Sequence, residues 1–175
     1  MKLYNFCFYA AIFLLFPTPG IAAERIFSLG GITIVLGSPK ETLRKQLEPR
    51  FIVKEIEDSF YVQERKPNGT YELLGFVRFR DGRVSSVSRS LGNFHGKEGT
   101  ELGNELRSAL ERLQSATQSV IVVNLKERRS APGTRITPIE FSSDGRWVAL
   151  TIFEGKEVDE KGGPVIDLSE GIASN

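Results

Sequence analysis

Apolar residues recur along this chain with two different periods, and the switches between them divide it into segments. Ile32-Thr33-Ile34-Val35-Leu36 is a short apolar run bounded by Gly30-Gly31 and Gly37, the texture of a first strand. Ser38-Pro39-Lys40-Glu41 follows. Serine at the N-cap, proline at the first helical position and glutamate at the third predict a capping box and a helix start. Leu43 and Leu47 give that helix its apolar stripe and Pro49 ends it, so it has about three turns at most.

Four strands are expected next, separated by Asp58-Ser59, Asn68-Gly69 and Asp81-Gly82 as two-residue hairpin loops. The last two are preferred type I′ pairs, since both central positions need positive φ. If all three loops hold, Ile56, Tyr61, Phe76 and Val87 form one row across the sheet, and Arg65 faces Glu72. Gly92 to Gly99 reads as a glycine-rich connection. Leu102, Leu106, Ala109, Leu110, Leu113 and Ala116 then mark an amphipathic helix of about four turns.

Val120–Glu127, Arg135–Phe141 and Trp147–Phe153 read as strands, with Asp144-Gly145 closing the last hairpin. That register sets Phe141 opposite Val148, Ile139 opposite Leu150 and Thr137 opposite Ile152, and Pro138 points to an edge strand. Helix-then-antiparallel-strands thus occurs twice. The expected class is α+β: an antiparallel meander sheet with two helices, arranged as tandem helix-plus-hairpin units sharing one core. The units span about 32–91 and 98–154 within a single domain, 24–154, and residues 155–175 are expected to be a mobile tail.

Met1–Ala23 has another texture. Lys2 precedes an apolar run from Tyr4 to Phe16 broken only by Asn5, and Pro17, Pro19, Gly20, Ala22 and Ala23 follow. A charged start, a short apolar stretch and small residues describe a secretory signal peptide, cleaved after Ala22 or Ala23. The run is shorter than the roughly 20 residues that span a bilayer, so membrane attachment is expected only if cleavage fails. Cleavage changes the composition. Losing Lys2 takes 23 basic residues to 22, against 22 acidic, and Cys7, the one cysteine, is lost as well. The exported chain is then neutral and has no thiol for a disulfide, a nucleophile or a metal. Neutrality also argues against a nucleic-acid partner.

The chemistry-bearing motifs are few. No G-x-S-x-G, H-E-x-x-H, P-loop or dinucleotide glycine pattern occurs, and no cofactor or metal site is expected. His95 is the single histidine and the one weak catalytic candidate, as a lone general base. Asn68-Gly69-Thr70 matches a glycosylation sequon but is equally explained as a hairpin tip. Arg78, Arg80 and Arg83 cluster at the Asp81-Gly82 hairpin, with Ser85, Ser86, Ser88 and Ser90 beside them, a candidate site for an anion or a partner. Lys126-Glu127-Arg128-Arg129 with Arg135 forms a second basic stretch. Trp147 and Phe153 lie opposite the core face of their strand, as an exposed partner-binding face if nothing covers them and as core otherwise.

Two stretches resemble known families. Phe141-Ser142-Ser143-Asp144-Gly145-Arg146-Trp147-Val148-Ala149-Leu150 is similar to the hairpin of TolB-type and WD-repeat propeller blades, but it occurs once and a propeller needs at least four blades. Leu36-Gly37-Ser38-Pro39-Lys40-Glu41, Leu43, Leu47 and the stretch Leu74-Gly75-Phe76-Val77-Arg78-Phe79-Arg80-Asp81-Gly82-Arg83-Val84 resemble the SmpA/OmlA-like (BamE-type) small envelope lipoproteins. That resemblance, which extends to the β-lactamase-inhibitor-protein fold, implies an envelope protein that works by binding other proteins. This chain departs from it by lacking the lipidated cysteine.

The resulting expectation is a periplasmic or secreted, non-enzymatic protein with a protein partner in the cell envelope. The alternatives are a small hydrolase using carboxylates or His95, and an anion- or small-ligand-binding protein.

Overall fold

The computed structural model describes residues 25–95, 98–117, 119–125, 128–129, 134–155 and 164–174. The expected signal segment, 1–23, lies outside the described residues. A hairpin of β1 (Ile26–Leu29) and β2 (Ile32–Val35) leads into α1 (Lys40–Leu47). Then come β3 (Ile52–Ile56), β4 (Ser59–Arg65), β5 (Tyr71–Arg80), β6 (Arg83–His95) and α2 (Gly99–Ala116). The chain continues through β7 (Val122–Leu125), β8 (Arg128–Arg129), β9 (Thr134–Ser143), β10 (Arg146–Gly155) and β11 (Val165–Ala173). β3 to β11 form one sheet in the order β3-β4-β5-β6-β11-β10-β9-β7, with β8 also on β9. Its described pairings are all antiparallel. The class is α+β.

The mobile-tail expectation is overturned by β11. Residues 165–173 lie between β6 and β10 and join the two antiparallel halves into one sheet. Alternation explains the insertion: Ile166, Leu168 and Ile172 point inward, and Leu168 and Ile172 are buried. Leu168 belongs to the apolar cluster under α2, with Ala109, Leu113, Val148 and Leu150. Ile172 belongs to the cluster under α1 and the β1–β2 hairpin, with Leu29, Ile34, Leu43, Leu47, Phe60, Val77 and Val87. Both clusters sit on the same face of the sheet, because Leu168 and Ile172 are separated by an even number of strand positions.

Several local expectations shift by a residue. The β3–β4 loop is Glu57-Asp58, with Ile56 opposite Ser59, and Glu57 takes the positive φ of 52°. Glu64, not Arg65, faces Glu72, and the cation between those carboxylates is Lys66. Bulges at Val62/Gln63 and at Arg78/Phe79 reset the ladders, so Tyr61 meets Phe76 as expected while Val87 meets Val77. The second bulge lets Val84 and Val87, three apart, both reach the core. Asp81-Gly82 and Asp144-Gly145 turn with positive φ at both positions, and the β9–β10 register follows the reading from sequence. Pro138 is not on an edge strand, because β7 and β8 pair along the outer side of β9.

The capping box does not form. Ser38 Oγ donates to the Val35 carbonyl at 2.6 Å, and Pro39 rather than Ser38 is the N-cap. The segment before α1 is held by the β5–β6 hairpin instead. Gly37 N donates to Val84 O, Val84 N to Ser38 O and Lys40 N to Gly82 O, at 2.8–2.9 Å. Lys40 and Arg44 then reach over the edge-to-face pair Phe60–Phe79 to Glu55 of β3. Those two partners, Lys40 first, hold the Glu55 carboxyl below the usual glutamate range.

Candidate functional site

With both helices and the β1–β2 hairpin packed on one face, no described element lies on the other. The burial pattern follows in Ser59–Val62 of β4, Gly75–Arg80 of β5 and Trp147–Leu150 of β10, where buried residues alternate with half-buried or exposed ones; on β11, Gly171 of the open face is also buried, beneath Trp147. The register sets out a row across this open face: Lys54, Tyr61, Phe76, Ser88, Gly171, Trp147, Ser142 and Val122. Tyr61 and Phe76 meet edge to face with centroids 4.7 Å apart. Between the aromatic positions the floor is small and polar. Ser90, Ser169 and Ala149 share one row, and Asn93, Asp167 and Thr151 another.

Trp147 and Phe153 are both half-buried on this face. Six residues of strand separate them, about 20 Å, so they mark its two ends rather than one patch. Trp147 is seated on its cross-strand neighbour Gly171, where a Cβ would stand 2.7 Å from indole Cζ2 and 2.9 Å from Cε2. Phe153 lies beside Val165, which in turn faces His95. Asp167, midway, has its carboxyl pushed above the usual aspartate range by burial.

Arg78, Arg80 and Arg83 are exposed at the hairpin tip, and Arg80 faces Arg83 directly. The bulge separates Arg78 from that pair, and Arg83 Nη1 donates to the Gly37 carbonyl at 3.0 Å. His95 ends β6 instead of lying in a loop. Its backbone N–H donates to Glu98 Oε2 at 2.8 Å, and its imidazole makes no hydrogen bond to a described residue. No group of three or more His, Cys, Asp or Glu able to hold a metal occurs among the described residues. No helix among them is long and apolar enough to cross a membrane.

One cluster escaped the sequence. Glu170 occupies an inward position of β11 and is buried, at the seam between the two apolar clusters. A buried carboxylate needs partners, and two elements supply them. Arg89 Nε of β6 donates to Oε1 at 2.7 Å, while Arg112 of α2 donates to Oε2 from Nε at 3.2 Å and Nη2 at 3.1 Å. Ser108 and Glu105 steady Arg112, and Arg89 lies over the Phe27 ring of β1 at 5.8 Å. A groove of about 320 Å³ opens here between β1 and α2, walled by Phe27, Ala109, Leu113 and Val148. In sequence the signal was a glutamate in phase with Ile166, Leu168 and Ile172.

Comparison with protein-family models, with characterised proteins and with solved structures finds no match to this chain.

Proposed function

We propose that this chain is exported after removal of residues 1–23 and acts without catalysis, by holding a protein partner in the cell envelope against the open face of its sheet. The observation that carries this reading is the uncovered face itself. It presents aromatic anchors at Tyr61, Phe76, Trp147 and Phe153 around a floor of serine, alanine and threonine, on strands whose opposite side is locked by a packed core. Large aromatics on a rigid support supply contact area at small entropic cost, the composition of binding hot spots. The order of elements supports a further detail. α1 with β3–β6 and α2 with β7–β10 read as two helix-plus-antiparallel-strand units clasped by β11, the arrangement implied by the resemblance to the SmpA/OmlA-like proteins.

The test is cross-linking in the expressing cell followed by mass spectrometry of the envelope and secreted fractions. A specific protein adduct that disappears in a Trp147→Ala/Phe153→Ala variant of unchanged fold supports the reading. An adduct indifferent to that variant, or none, contradicts it. A second reading, anion binding at the hairpin tip, draws support from Arg78 and Arg80, whose guanidiniums make no ion pair with a described residue. It predicts a thermal shift with phosphate that is lost when Arg78, Arg80 and Arg83 are all neutralised.

A further inference from the structure

Apolar rows of the core run off one end of the sheet. On the helix side, Val148 pairs with Phe141 and Phe141 with Val123, while Leu150 pairs with Ile139 and Ile139 with Leu125. β7 is the edge, so both rows stop at side chains in contact with water. Val123 is 58% exposed and Leu125 68%, with Val122 at 53% and Val120 at 84% on the same stretch. Beside them, an apolar groove between α2 and the sheet is lined by Leu106, Leu110, Ile121 and Phe141. Proteins normally guard such an edge with charge, proline or a bulge. Residues 120–125 carry none of these. The opposite edge, β3, does: it presents Lys54 to the open face, and its Glu55 is tied to α1.

We propose that β7 pairs with β7 of a second copy of this chain, antiparallel about a two-fold axis at Val123. Only even registers keep the helix sides of both sheets together. The register through Val123 sets it against its own copy, Ile121 against the partner's Leu125 and Val122 against the partner's Asn124, continuing both truncated rows. No charged pair is brought together in this block. The basic pair Arg128-Arg129 of each copy lies past the end of the partner's strand. Val123 and Leu125 on the helix side, with Val120 and Val122 on the other face of the same stretch, present on the order of 400 Å² of apolar surface along this one edge, in the range of the largest patches on single chains, which are often functional. The guarded β3 edge leaves β7 to pair with itself, which gives a closed dimer and not an open filament.

The experiment is light scattering on the size-separated protein, purified after expression of the full chain. A two-chain mass at about 100 μM is expected, falling to one chain in Val123→Lys and Leu125→Lys with unchanged circular dichroism. A Val123→Cys variant removes any dependence on how well the lysine variants fold. Under mild oxidation it should form a covalent dimer, since residues paired on an axis lie about 4.5–5.5 Å apart at Cα. Val35→Cys, also exposed but on β2, should not. A one-chain mass for the unsubstituted protein, a dimer that survives both lysine substitutions, or no preference between the two cysteines overturns the proposal.

Discussion

Trp147 and Gly171 are cross-strand neighbours in contact so close that a methyl group at residue 171 would collide with the indole ring. The open face keeps its largest aromatic half-buried by this means, without a covering layer. In Gly171→Ala the new methyl would collide with the Val87 carbonyl of β6 as well as with the ring, so the variant should part the β6–β11 ladder, lift the indole and cost at least about 1–3 kcal/mol, the usual penalty of overpacking. Trp147 is the single tryptophan, so its emission reports the change directly. A red shift with a lowered urea midpoint is expected, and an unchanged spectrum would show that the contact does not hold the ring.

Glu170 links α2, β6 and β11 from a buried position, and no other carboxylate is as enclosed among the described residues. Removing one member of a buried ion cluster leaves the rest unpaired. Glu170→Ala should cost about 2–3 kcal/mol in urea unfolding, below the full penalty for a sealed pair because both arginines are partly in water. Arg112→Met should cost less, and the double variant should be less destabilised than the sum, by double-mutant cycle.

Asp167 responds to pH in the opposite sense from a paired carboxylate. Burial raises its folded-state value, so its ionised form opposes folding. The favourable contribution is complete below the ordinary aspartate range and is lost as pH rises through the raised value. Asp167→Asn should therefore raise the melting temperature at pH 7, and the gain should shrink as the pH falls toward the aspartate range. A gain that is constant with pH would rule out this cause.

β11 should be indispensable. Leu168→Ala deletes a fully buried side chain and should cost about 2–5 kcal/mol. A chain ending at residue 155 lacks the strand between β6 and β10 and should lose cooperative unfolding altogether. Retention of a sharp transition by that truncation would mean that the two halves stand without their clasp.

The helices and the Asp-Gly hairpins were legible because their signals are local: a 3.6-residue stripe under α2, and turn pairs that need positive φ. β11 was not, because its partners lie 70 or more residues away on β6 and, on β10, on the far side of residues 156–164. Its inward row is also broken by Glu170, while Ser169, Gly171 and Ala173 face outward and dilute the strand texture. The Ser38 cap was misread for a similar reason: the β5–β6 hairpin supplies competing backbone partners that lie far along the chain. Register slipped at the five-residue connection 66–70 and at the Ser85 bulge, while the bulge at Leu74 brought Tyr61 back opposite Phe76, and a single extra residue leaves no mark in composition. Of the candidate site, Trp147 and Phe153 were placed on the correct face. What covers a face is a property of the whole sheet, and the strand alone does not carry it.

The proposed contact of a protein partner with the open face, and not with the helix side, can be tested position by position. Photo-reactive residues placed singly at Ser88, Thr151 and Ser169 on the open face, and at the exposed Gln46 on α1, test it in the expressing cell. One common adduct is expected from the three open-face positions and none from Gln46. Adducts from Gln46 alone, or from none of the four, would rule that contact out.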